Sequence, residues 1–109
     1  MIQLVSSDPI GVKMRPADGV VLTGAQVRAA RALLRWSAEE LATHSRLGTA
    51  TIKRAEANDG PVKSTSANVQ AIVNAFERAG IELIHENGGG SGVRFRERRD
   101  VGQYKPVSR

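Results

Sequence analysis

The chain has no cysteine in its 109 residues. A disulfide framework and a thiolate metal site are therefore excluded, in keeping with a reducing compartment. It also has no apolar run approaching the roughly 20 consecutive residues that a membrane-spanning helix needs. Its first residues, MIQLVSSDPIGVK, lack the basic segment and following apolar stretch of a secretory leader. Histidine is scarce: His44 and His85 are the only two and lie far apart in the sequence, so neither has a companion at metal-ligand spacing. Glu39 and Glu40 are neighbours that diverge on a helix, which makes a poor acid–base pair. The glycine-rich segment 87–92 lacks the Lys-Ser/Thr and the following helix of a phosphate-binding loop. These absences lead us to expect a soluble cytoplasmic protein without membrane attachment, metal or catalytic constellation.

What is present points elsewhere. An apolar content of 40% over this length suits one hydrophobic core and is too little for two. The net charge of +5 suits a polyanionic partner. Residues 1–22 are neutral, whereas 23–60 carry six basic against four acidic residues and 94–109 carry six against two. Segment 61–93 is slightly acidic. The positive excess thus sits in the middle of the chain and at its end.

Residues 1–22, with Pro9, Gly11, Pro16 and Gly19, show no sustained period and read as an irregular or disordered arm. From Thr23, a plausible N-cap, the spacing of Val27, Ala30, Arg31 and Leu34 predicts a first helix. Ser37-Ala38-Glu39-Glu40 forms a capping box that opens a second helix, running to about Ser45 with two acids in its first turn. Gly48 interrupts, and residues 49–57 resume a helical pattern with Ile52 and Ala55 as the apolar positions. Asn58-Asp59-Gly60-Pro61 breaks it. A last long helix follows, carrying Val69, Ile72, Val73 and Phe76 on one stripe and ending at Gly80. Ile81–Ile84 and Val93–Phe95 partly alternate around a glycine-rich loop, which predicts a β-hairpin. Residues 97–109 read as an exposed basic tail.

Two helices joined by a turn of about 3–4 residues form a helix-turn-helix, whose second helix can lie in the major groove of DNA. Here Leu41, Ala42, Leu47 and Ile52 are the residues that would lock the pair against Val27, Leu34 and Trp36. Trp36, the only tryptophan, reads as a core anchor rather than a base-stacking platform. Thr49, Ala50, Lys53 and Arg54 are left on the outer side of the second helix. Arg28 and Arg35 are expected to face solvent.

Residues 23–60, and more loosely 23–84, resemble the lambda-repressor-like (Cro-type, XRE) helix-turn-helix family. The resemblance is carried by Arg31, by Trp36-Ser37-Ala38-Glu39-Glu40-Leu41-Ala42 and by Leu47-Gly48-Thr49-Ala50-Thr51-Ile52-Lys53-Arg54-Ala55-Glu56. Gly80 to Phe95, with its Glu-Asn-Gly-Gly-Gly core, also resembles the segment that follows the helical domain in a subgroup of small bacterial regulators. The resemblance implies a mainly α fold, a bundle of four to five helices followed by a short hairpin, with no cofactor and no catalysis. It implies a transcriptional regulator, expected to be a repressor, that binds double-stranded DNA as a homodimer. It further implies an ion pair between Arg31 and Glu56, and base or phosphate contacts from Thr49, Ala50, Lys53 and Arg54.

Three positions depart from the family pattern. Ala38 replaces a common Gln and leaves only backbone amides for a phosphate. Arg46 stands where Gly usually takes the left-handed C-cap, with a phosphate contact as its compensation. Gly48 replaces the Ser or Thr that usually caps the reading helix.

The sequence divides into an arm (1–22), a helix-turn-helix domain (23–80), a hairpin (81–96) that is the first candidate for a dimer interface, and the tail (97–109). The tail reads either as a solubilising end or as a source of salt-sensitive DNA affinity. A competing reading is an antitoxin- or antiactivator-like module that uses the same bundle to hold a partner protein.

Overall fold

A computed structural model describes residues 21–98. The arm as far as residue 20 and the tail from residue 99 lie outside the described residues. Four helices, α1 (Gly24–Leu34), α2 (Ala38–Ser45), α3 (Thr49–Ala55) and α4 (Ser66–Arg78), precede two strands, β1 (Ile81–Ile84) and β2 (Gly92–Phe95). Among the described residues the fold is therefore mainly α, with four helices and one hairpin. No helix among them is long and apolar enough to cross a membrane.

Local chemistry sets most of the boundaries. Thr23 and Ser37 cap α1 and α2 through reciprocal capping boxes with Gln26 and Glu40, each satisfying donors that a helix start leaves open. Thr65 caps α4 by accepting from the Asn68 amide. Both α1 and α2 end on an arginine in the left-handed region, Arg35 at φ 60° and Arg46 at φ 61°. The next residue in each case, Trp36 or Leu47, donates its amide five residues back, to Arg31 or Ala42. The two ends are thus closed in the same way, with arginine where glycine is the usual occupant.

α3 is the exception. It has seven residues and no side-chain cap, and an isolated helix shorter than about 12 residues is marginal in water. Its placement comes from packing: Ile52 is fully buried and Ala55 nearly so, and a buried Ile side chain contributes about 1.5–3 kcal/mol. That exceeds the few tenths by which Gly48 falls short of Ser as a cap. The helix ends at Ala55, two residues before the expected 57. Glu56 already departs from helical geometry as the C-cap, and the following turn takes over with an Asx bond from the Gly60 amide to the Asn58 side chain.

Phe76, Leu41, Ile52, Ile72, Ile81 and Val27 are the largest fully buried side chains. Leu34, Trp36, Leu47 and the hairpin's Leu83, Val93 and Phe95 pack around them, partly buried. The packing begins at Leu22, 3% exposed, whose carbonyl accepts from the Val62 amide. Next to it, Gly24 lies so close to the turn after α3 that a Cβ there would meet the Asn58 carbonyl oxygen at 1.9 Å. The two strands are antiparallel in the register Ile81–Phe95, Glu82–Arg94, Leu83–Val93 and Ile84–Gly92, so β2 starts one residue earlier than expected. Gln26 ties this hairpin to α1. Its side-chain amide donates to the carbonyls of Ile84 and Gly92, at 3.1 and 3.0 Å.

Candidate nucleic-acid interface

The α2–turn–α3 unit presents one face inward and one outward. Leu41, Ala42, Ser45, Ile52 and Ala55 are buried, whereas Arg46, Ala50, Lys53 and Arg54 are exposed and Thr49 is half-buried. Ala38 lies differently from the other candidates: it is only 9% exposed and belongs to the core. It is the first residue of α2.

The orientation of α3 is fixed from behind. Arg31 of α1 places Nε and one terminal nitrogen on the two carboxylate oxygens of Glu56, both at 3.0 Å, and its other terminal nitrogen on the Trp36 carbonyl at 2.9 Å. The two side chains are 22% and 11% exposed, so water competes weakly and the two-pronged geometry holds the end of α3 against α1. Arg28 was expected to face solvent. Instead it donates to the Glu56 carbonyl at 2.6 Å, at the C-terminal end of α3, and pairs with Asp59. The carbonyls left open at a helix end attract a cation from one turn along α1. Arg35 is exposed.

Arginines close two further helix ends. Arg78 of α4 donates to the His44 carbonyl at 2.8 Å, near the end of α2. Arg96, the last residue of the expected hairpin segment, donates to the Glu77 carbonyl at 3.1 Å, near the end of α4. In the hairpin, Arg94 and Glu82 pair across the strands. The guanidinium hydrogen-bonds the Glu82 carboxylate and holds its pKa below the ordinary glutamate range.

Arg28, Arg31 and Arg94 are paired with carboxylates, and Arg78 and Arg96 each donate to backbone carbonyls. Arg46 and Lys53 make no side-chain bond among the described residues, and Arg54 reaches only the Thr51 hydroxyl of its own helix, at 3.4 Å. The free cations of the helix-turn-helix unit therefore gather in the turn and on the outer face of α3.

Sequence reasoning missed several supporting residues. Gln26 follows Thr23 by three positions, a capping-box signature that is legible in the sequence. Its bonds to the hairpin carry no such signal. Trp36 stacks on His44 with ring centroids 4.0 Å apart and planes within 2°, and lies 6.2 Å from Phe76. Half-buried, it joins the core on one side and an exposed imidazole on the other. A comparison of the chain with protein-family models and with curated protein sequences finds no match.

Proposed function

We propose that this chain is a sequence-specific duplex-DNA-binding regulator of the lambda-repressor-like type, acting as a homodimeric repressor and reading the major groove with α3. The observation that carries the proposal is the division of α3. Ile52, Ala55 and the Glu56 carboxylate are held from behind, while Ala50, Lys53 and Arg54 face outward with no acidic partner among the described residues.

Each outward group has a use on a duplex. Lys53 and Arg54 donate to guanine acceptors or phosphate oxygens, Thr49 donates to either, and the Ala50 methyl suits the methyl group of thymine. Arg46 in the turn and the amides at the start of α2, including that of Ala38, take backbone phosphates that set register without reading sequence. One reading helix spans about one half-site, so a second copy supplies the other. The hairpin, a two-stranded sheet, is the segment we assign to that contact.

The test is a selection of bound genome fragments with the full chain, followed by titration of the winning duplex at two salt concentrations. A recurrent inverted repeat, bound well above random DNA, is the expected result. Weak binding with no motif and a steep salt dependence would overturn the proposal, because it reports charge alone.

A further inference from the structure

Between the C-terminal end of α2 and the C-terminal half of α4 lies an open concavity of about 510 Å³, with Thr43, His44, Arg46, Asn74 and Arg78 in its lining. No acidic residue lines it. Neither Arg46 nor Arg78 forms an ion pair among the described residues. Arg78 is held in place by one bond to the His44 carbonyl, which leaves the rest of its donor fork uncommitted. Asn74 uses its side-chain oxygen to accept from Gln70, at 2.8 Å, so its amide hydrogens remain available. Arg46, whose backbone is left-handed, belongs to the same lining. The groove thus collects donors and positive charge on two packed helices.

We infer that this groove binds a small oxyanion, the phosphate or carboxylate group of a small molecule. A planar guanidinium fork matches both groups through paired, charge-assisted hydrogen bonds. The concavity is larger than the anion itself and falls in the range of small-ligand sites, about 300–1,000 Å³, so the remainder of a ligand fits alongside Ala71. The groove shares Arg46 with the proposed phosphate contacts on DNA, whereas Asn74 and Arg78 belong to α4 and have no part in the proposed reading face.

The experiment uses the isotope-labelled full chain, titrated with inorganic phosphate, pyrophosphate and citrate at ionic strength held constant with sodium chloride. Saturable shifts confined to Thr43, Arg46, Asn74 and Arg78 are expected with at least one of these probes. Asn74→Asp places a carboxylate in the groove at an exposed position, and Arg46→Gly removes one guanidinium while relieving the left-handed backbone. Each is expected to weaken binding by about tenfold or more, the size of one lost charge-assisted bond. A non-saturating drift shared with Lys53 and Lys63, or unchanged affinity in both variants, would overturn the inference. So would a response to duplex DNA alone, which assigns the groove to the nucleic-acid backbone.

Discussion

Arg31 and Glu56 stand 25 residues apart in the sequence and meet through two parallel hydrogen bonds of 3.0 Å. The pair links the last turn of α1 to the end of α3, the one helix with neither length nor a side-chain cap to hold it. Replacing Glu56 with Gln leaves the Arg31 charge half-buried with a neutral partner. Breaking one side of such a pair costs about 3 kcal/mol when it is well buried, and less where water reaches it. Chemical denaturation is expected to show a loss of about 1–3 kcal/mol, with the Arg31→Met, Glu56→Leu double variant less destabilised than the two single changes summed. Strict additivity would mean that the two side chains contribute independently.

Gly24 tests the closeness of the backbones. An alanine methyl at 1.9 Å from the Asn58 carbonyl oxygen meets main chain, which cannot swing aside as a side chain does. Gly24→Ala is expected to destabilise by about 3 kcal/mol, at the upper end of ordinary overpacking. A melting temperature unchanged from that of the parent chain would show that α1 and the turn after α3 are not packed this closely.

Gln26 serves the helix and the hairpin together. Gln26→Ala removes one arm of the α1 capping box and both bonds to the Ile84 and Gly92 carbonyls, with an expected cost of about 2 kcal/mol. The loss should also be local. Amide hydrogen exchange in β1 and β2 is expected to accelerate more than that in α2 and α4; uniform acceleration would contradict the tie.

Lys53 and Arg54 separate reading from folding. Both are exposed and support no other element, so the double alanine variant is expected to melt within about 4 °C of the parent, the range for surface changes of about ±0.5 kcal/mol or less. Its operator binding is expected to be lost or to drop to the non-specific level. Each phosphate contact removed lowers the salt slope by about one. A charge-matched control, Lys63→Ala with Arg98→Ala, is expected to retain the sequence preference. Equal losses in the two variants would sink the assignment of the reading face.

The hairpin carries a pH signature. The Glu82 carboxyl lies below its ordinary range because Arg94 hydrogen-bonds it, so it binds protons less readily in the folded chain than in the unfolded one. Its stabilising contribution is therefore complete above the unfolded carboxyl range and disappears as pH falls through the folded value. The contribution is small, because both partners are exposed to water. In Glu82→Gln the acid limb of the stability curve is expected to flatten slightly, with little change near neutrality. A stronger dependence on pH in the variant would contradict the sign.

The elements written in local chemistry were legible in the sequence. Ser37 and Glu40 announce α2 by spacing alone, Thr23 opens α1, and the stripe from Val69 to Phe76 marks α4. Less local features were not legible. Arg28 looks like a surface residue until the end of α3 is brought beneath it, and nothing near Arg78 in the sequence points to the His44 carbonyl. Gly24 reads as a poor helix former, because the reason for its presence is an oxygen atom 34 positions further on. For the candidate interface, the outward residues of α3 followed from helical period. The depth of Ala38 did not, since its place depends on how α2 packs into the core.

The face-to-face placement of Trp36 and His44 gives the protein its own optical label. The chain has a single tryptophan, and that indole bridges the packed interior and the outer surface of α2. Its emission reports whether the link between α1 and α2 is seated, without any added fluorophore. A ligand that disturbs His44 and a denaturant that loosens Phe76 reach the same ring from opposite sides, so changes in intensity and in emission wavelength distinguish a local rearrangement of α2 from collapse of the core.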